Sequence, residues 1–415
     1  MIIKGECAIM NPKILSIVVE GVKTYKNNVF SLDFMTEQRV FQHEKDDKVV
    51  TSVSKHGNLN NIIALAGVNA SGKTSSLLLI NYVLHLVFLG SNANFKKQII
   101  DLFDEKIKIH TTFICDNFVY KTTSELEKKK YDDSIRIEFC NEIICRKKIN
   151  KNTSKKDLKF NNEQEEPNLE IVERKKLDGT ILKFLKNEDS IIPSQLSNLP
   201  KNYVIDTFSQ TDMNFLSGGT GFPSEMIMYL DQTIEEISLQ LPKDLKKEDL
   251  TIDKLMFNLK FENEPRKTVS IVDLNMYLSS GTIKGLGLLN RIIRVLKVGG
   301  YLLVDELEIH FNKSIVENII DLFQSDVNEK GATIIFSTHY SELLDSLTRR
   351  DSIRVVRKIE NKIEIESLNN LANKEDKNRS DIKNSDLFLS GLFGTAPSFD
   401  RYWKLNRFIK GLIEG

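Results

Sequence analysis

Ile62-Ile63-Ala64-Leu65-Ala66-Gly67-Val68-Asn69-Ala70-Ser71-Gly72-Lys73-Thr74-Ser75 is the stretch on which the reading of this chain turns. Residues 62–66 are an unbroken apolar run, as expected of a strand covered on both faces. Residues 67–74 follow G-x-x-x-x-G-K-[ST], a turn that presents backbone N–H groups to phosphates at a helix N-terminus. Gly67 and Gly72 let the backbone curl, so that the amides from Asn69, Ala70 and Ser71 through Ser75 form an anion nest. Lys73 is expected to reach the β- and γ-phosphates and the Thr74 hydroxyl to hold Mg²⁺, so a nucleoside triphosphate is the expected ligand.

Downstream, Leu77 to Leu89 is the most hydrophobic stretch, but Asn81, Tyr82 and His85 interrupt it and it is too short for a bilayer. It reads as the buried helix behind the phosphate loop. The opening Met1-Ile2-Ile3-Lys4-Gly5-Glu6 has no basic segment leading into a long apolar core, so no signal peptide is expected. Lys plus Arg and Asp plus Glu number 58 each, which leaves no global field toward nucleic acid or membrane and makes any such binding local. Cys7, Cys115, Cys140 and Cys145 lack a C-x-x-C spacing and the six histidines are scattered, so the expectation is a cytoplasmic protein with reduced thiols and no metal cluster. At 415 residues, two to three domains are expected.

A phosphate loop names only a superfamily, and the acidic motif selects the branch. Gly299-Gly300-Tyr301-Leu302-Leu303-Val304-Asp305-Glu306 is an apolar strand ending in two carboxylates. Asp305 is placed to hold Mg²⁺ and Glu306 to orient or deprotonate the attacking water. A third strand, Ala332 to Phe336, ends in Ser337-Thr338-His339, where an imidazole can bond a γ-phosphate oxygen or the water in line with it. Between these motifs, Leu278-Ser279-Ser280-Gly281-Thr282 opens a helix with apolar positions at Ile283, Leu286, Leu289, Ile292, Ile293 and Leu296, closed by Gly299-Gly300.

In this order the motifs resemble the ABC-type ATPase heads over roughly residues 12–90 and 270–365. The resemblance implies an α/β P-loop NTPase with a mixed sheet flanked by helices, using ATP and Mg²⁺. It also implies that Ser279, Ser280 and Gly281 act in trans on the ATP held by a second copy, making a homodimer around nucleotide. Ser280 and Thr282 depart from the family's Gly and Gln. Leu216-Ser217-Gly218-Gly219-Thr220 matches the signature better by letter, but position and the following helix favour the copy at 279–281. Asn373-Lys374-Glu375-Asp376 matches a guanine-reading pattern without a strand before it and reads as chance. The separation of Lys73 from Asp305, 232 residues, also argues against a GTPase or a hexameric AAA+ motor.

That separation leaves room for an inserted α+β lobe at 91–265, with strands at Ile107 to Cys115 and Ser134 to Cys145 and helices at Thr180 to Phe184 and Glu225 to Leu241. No heptad repeat suggests a coiled-coil arm. Within it, Arg146 to Lys159 is strongly basic and reads as a solvated hairpin tip, with contact to nucleic-acid phosphates or an acidic partner as the alternative. Neither Gln98 nor Gln210 can be assigned as a coupling glutamine. The head resumes over 266–370, and 371–415 reads as a linker and a C-terminal helical tail, too short for a Toprim nuclease domain. Within the ABC-like group, Asp305-Glu306-Leu307-Glu308 and the segment Phe393-Gly394-Thr395-Ala396-Pro397 resemble the AbiLi or RloA type of ATPase from anti-phage operons, although Asn312-Lys313 stands where that group has His-Pro. That resemblance implies a separately encoded effector, of nuclease type, as partner, and no membrane. The alternatives are a RecF- or SMC-like ATPase acting on DNA and, third, a transporter energy subunit.

Overall fold

The computed structural model describes residues 11–90, 97–132, 134–160, 169–196, 199–200, 203–208, 221–240, 255–379, 381–395 and 399–414. At its centre is a six-stranded sheet ordered Val204–Asp206, Tyr301–Val304, Thr333–Thr338, Ile62–Ala66, Ile353–Ile359 and Lys362–Ser367. The first five strands are parallel and the last is antiparallel to its neighbour. Tyr301 pairs with Thr333 and Ile334 with Ile62, so the phosphate-loop, acidic and histidine strands end side by side at one edge. Ligands gather at the carboxyl edge of such a sheet.

The apolar runs are continuous because each face of the sheet has its own core. Ile63, Leu65, Leu303 and Ile335 point into one core, and Ile62, Ala64, Ala66, Leu302, Val304, Ile334 and Phe336 into the other. The period of two along each strand thus serves two apolar environments instead of one apolar and one wet. The helix Lys73–Leu89 lies in the first core and is buried on nearly every side, because an antiparallel sheet covers its far face. The second core is closed by helices Ser280–Val298 and Lys313–Asp321.

The covering sheet has the order Val29–Asp33, Lys13–Val22, Phe103–Cys115, Phe118–Tyr131, Ser134–Lys148 and Glu170–Glu173. Its register sets Ile17 opposite Thr111 and Val19 opposite Ile109. This corrects the picture of one inserted lobe at 91–265. Residues 103–148 extend a sheet begun by the N-terminal strand, and Val204–Asp206 is the edge of the parallel sheet. Among the described residues a smaller unit has its own core, with strands Ile234–Gln240, Met256–Phe261 and Lys267–Ser270 around Phe222, Ile227, Ile237, Phe257 and Leu259.

The helix expected over Glu225 to Leu241 is the short Ser224–Leu230 followed by the strand Ile234–Gln240. Asp231 Oδ1 accepts from the Thr233 amide at 3.0 Å and hydroxyl at 2.6 Å, a turn that competes with helical bonding. The basic run is not a free tip either. Arg146 to Lys148 complete a strand, and beyond them Leu158 is fully buried while Lys155 donates to the Thr36 carbonyl at 2.5 Å. The helix at Gly179–Phe184 lies where the sequence indicates, with Asp178 accepting from the Thr180 amide.

The helix Ser280–Val298 is capped by Ser279, whose hydroxyl accepts from the Thr282 amide at 3.0 Å, and ends at Gly299 in the left-handed region, φ 68°. A Cβ on Gly300 would come within 2.2 Å of the Tyr203 carbonyl, so glycine is required for the acidic strand to enter beside the sheet edge. Among the described residues Cys115, Cys140 and Cys145 are free thiols, no His, Cys, Asp and Glu cluster could hold a metal ion, and no helix is long and apolar enough to cross a membrane. After the parallel sheet, Leu368–Lys374 and Asn384–Leu389 pack on the second core, whereas Phe399–Glu414 leaves Trp403, Phe408 and Leu412 exposed.

Candidate nucleotide site

Residues 67–72 leave the central strand and turn into the helix at Lys73. Gly72 has φ 107°, and a Cβ there would strike Ile363; one on Gly67 would sit 2.3 Å from the Val356 carbonyl. The loop is thus pressed against the neighbouring strands and held by glycine where a side chain has no room. It opens onto a pocket of about 420 Å³ lined by Asn69 through Ser75, with Glu306 on one side and Lys358, Asn361 and Thr24 on another.

The lysine and the Thr74 hydroxyl are held by hydrogen bonds within the chain. Lys73 is buried and its Nζ donates to the carbonyls of Gly67 at 2.8 Å and Val68 at 3.2 Å. Burial pushes its pKa below the usual lysine value, opposed by the charges of Glu306, Glu308 and Asp305. The Ser71 hydroxyl is buried without a partner. An orphan donor inside a curled glycine loop, beside a desolvated ammonium, fits a phosphate that would supply the missing acceptors.

Beneath the pocket the acidic motif is tied to the loop. The Thr74 hydroxyl donates to Asp305 Oδ2 at 2.8 Å, the Ser337 hydroxyl to Asp305 Oδ1 at 2.5 Å, and the Glu306 amide to the Ser337 hydroxyl at 2.7 Å. Thr74 and Asp305 are therefore positioned to share a Mg²⁺ ion, and the metal would neutralise phosphate charge there. Glu306 sits at φ 51°, an uncommon conformation for a glutamate. It leaves the strand at this point and lines the pocket. His339 is held at the end of the neighbouring strand by Glu308, whose Oε1 accepts from the His339 amide at 2.8 Å and lies 2.9 Å from its Nδ1.

The fold thus gathers Gly67, Asn69, Ala70, Ser71, Gly72, Lys73, Thr74, Ser75, Asp305, Glu306 and His339 at one sheet edge. It does not bring Ser279, Ser280 and Gly281 to the same pocket. Ser280 Oγ meets His310 Nδ1 at 3.2 Å, and a Cβ on Gly281 would lie 2.8 Å from the His310 carbonyl, so this segment packs on the loop after Glu306. The rival segment at 216–220 and Gln210 lie outside the described residues, and Gln98 is exposed on the helix Lys97–Leu102. Residue-type reasoning passed over Ser337 and Glu308, both of which stand inside quoted motifs. The signal available for each was a polar residue at a position facing the strand ends.

A phosphate loop closing a central parallel strand, with an Asp-Glu strand one position removed across the histidine strand, defines a P-loop NTPase. The chain belongs to the family described as "AAA domain, putative AbiEii toxin, Type IV TA system", whose sequence profile matches residues 62–345. It is an AAA-type ATPase domain, and nucleotide binding, typically with Mg²⁺, goes with that family. None of the curated proteins matches the chain.

Proposed function

We propose that this protein is an ABC-type ATPase that closes ATP between two copies arranged head to tail and, through that assembly, controls a separately encoded effector of nuclease type in anti-phage defence. The observation that carries the dimer is the split site. One chain brings the phosphate loop, Asp305, Glu306 and His339 to one sheet edge, while the capped N-terminus of Ser280–Val298 lies outside that pocket with its cap, Ser279, exposed and Ser280 half-buried. A helix N-terminus of this length favours an anion, and a second copy can bring one to it. The defence role draws support from the family's toxin–antitoxin description and from the acidic motif.

The test is assembly state by light scattering with ATP and Mg²⁺, using Glu306→Gln to slow turnover. This variant is expected to dimerise with ATP and to remain monomeric without it, and Ser279→Arg added to it is expected to abolish the dimer. A change at Ser217 should leave dimers intact. ATP-bound Glu306→Gln protein that stays monomeric at tens of micromolar would remove the proposal.

A further inference from the structure

At the amino-terminal edge of the parallel sheet, opposite the phosphate loop, lies an open cleft of about 1200 Å³. One wall is Lys45 of the helix Gln42–Asp46 with Lys48, the strand Val50–Ser52, residues 53–55 and Asn61. The other is the turn at Asp116-Asn117 with residues 149–152, and residues 328–331 form the floor. The walls are tied together by the Lys55 amide, which donates to the Lys151 carbonyl at 2.8 Å, and the second wall is held by the Ile149 amide, which donates to the Asn117 carbonyl at 2.8 Å. Asn61 Nδ2 donates to the Lys48 carbonyl at 2.7 Å, and Thr51 packs so tightly on Gly331 that a Cβ there would overlap its hydroxyl. The cleft is pre-formed.

Its charge is one-sided in a chain whose formal total is zero. Six lysines line it against two carboxylates, Asp116 and Glu329. Two of the six are engaged by backbone: Lys13 Nζ donates to the Gly299 carbonyl at 2.6 Å and Lys330 Nζ to the Lys297 carbonyl at 2.6 Å. Lys45, Lys48, Lys55 and Lys151 ion-pair with no carboxylate among the described residues. The remaining lining is mostly asparagine, serine and threonine, and no aromatic side chain takes part. Protein interfaces show the reverse bias, enriched in aromatics and depleted of lysine. Lysine with small hydroxyl and amide side chains is instead the set that contacts sugar–phosphate backbones. Without an aromatic surface for unstacked bases, a duplex fits better than a single strand.

We propose that this cleft binds the phosphate backbone of double-stranded nucleic acid, with Lys45, Lys48, Lys55 and Lys151 as the contacts. The site is separate from the nucleotide pocket, and the inference does not depend on how ATP is used. Fluorescence anisotropy of the full chain with a labelled DNA duplex of about 24 base pairs, across about 50–200 mM salt, tests it. Binding is expected to fall with salt, and Lys45→Glu/Lys48→Glu and Lys55→Glu/Lys151→Glu should each reduce the log–log salt slope by about 2, roughly 1 per lysine.

At about 100 mM salt each pair should weaken binding by about tenfold or more. Lys183→Glu/Lys186→Glu, two exposed lysines elsewhere, serves as the charge control and should bind like the parent protein. Melting temperature and nucleotide binding measured on every variant separate loss of the cleft from loss of the fold. The proposal is overturned if the duplex does not bind, if binding survives both cleft reversals, if the control weakens it equally, or if the single strand binds more tightly. Capture of an acidic protein by the cleft without duplex binding overturns it as well.

Discussion

Glu308 Oε1 meets His339 twice, accepting from its backbone N–H at 2.8 Å and lying 2.9 Å from ring Nδ1, while the glutamate side chain is almost wholly buried. The contact makes Nδ1 the proton-bearing nitrogen on that side and leaves Nε2 as the ring atom available to a phosphate or a water. The second oxygen of Glu308 is buried without a partner, so the carboxylate also offers an unused acceptor near the site. Glu308→Gln is expected to slow hydrolysis by roughly 100-fold, the lower end of what positioned proton-transfer groups contribute, with ATP affinity unchanged. The ¹⁵N shifts of the His339 ring should move with it. Parallel losses of ATP affinity and melting temperature, with the ring resonances unmoved, would show instead that Glu308 only braces the loop.

Lys73→Ala and Glu306→Gln should fail differently. Lys73 lines the pocket as a buried amine at the turn of the loop, and on the proposed role as the charge that meets the phosphates its removal is expected to abolish nucleotide binding in a calorimetric titration. Glu306 bonds to its surroundings through its backbone, the amide to Ser337 and the carbonyl from Ile309, and among the described residues its side chain makes no hydrogen bond, so Glu306→Gln should bind ATP normally and turn over at least ~100-fold more slowly. Near-normal turnover by Glu306→Gln would mean that another group activates the water.

Away from the site, Arg349 is buried between two carboxylates, at 2.6 Å from Glu44 and 2.8 Å from Asp351. Asp351 Oδ2 also accepts from the amides of Glu37 and Gln38, which pins the 37–44 segment to the parallel sheet. Asp351→Ala leaves a buried guanidinium short of a partner and two amides without an acceptor. A loss of about 3–5 kcal/mol is expected in urea titrations. A change below about 1 kcal/mol would show that water replaces the carboxylate.

Burial pushes the Lys13 amine down to about 7, and its Nζ donates to the carbonyls of Gly299 and Gly331, two acceptors for the two N–H bonds of a neutral amine. The unfolded chain holds this proton up to the ordinary lysine value of 10.5. Between about pH 7 and 10.5 the unfolded state therefore binds more protons, and stability rises with pH relative to Lys13→Met. The relative slope has a ceiling of about 1.4 kcal/mol per pH unit for one proton. Melts of both proteins at several pH values measure it, and parallel curves would place the proton on the amine throughout.

What could be read from the sequence was what is local. Ile62 to Ala66, Tyr301 to Val304 and Ala332 to Phe336 announce themselves as strands because each is apolar on both faces, and the glycines beside them fix where the chain turns. The family match covers these three strands. Pairing was not legible. Nothing near Phe103 to Cys115 says that its neighbour is Lys13–Val22, because antiparallel partners are chosen by packing and not by an adjacent signal. Glu225 to Leu241 went wrong for a similar reason: Ile234 and Ile237 are three apart, a helical spacing, and they share one core in the strand because its register shifts between Ile234 and Glu236, after the turn at Asp231–Thr233 has ended the helix. Glu308 escaped because its role depends on a histidine on another strand.

The helix Ser280–Val298 belongs to two interiors at once. Ile283 and Leu286 sit in the core of the small three-stranded unit, and Leu288, Ile292 and Val295 in the core beneath the parallel sheet. A rod of 19 residues, roughly 28 Å long, is thereby anchored at both ends. Any tilt of the small unit must swing the rod's leading end, and that end touches His310, four residues past Glu306. A displacement of the small unit would thereby be carried by one helix to the loop that bears the carboxylates.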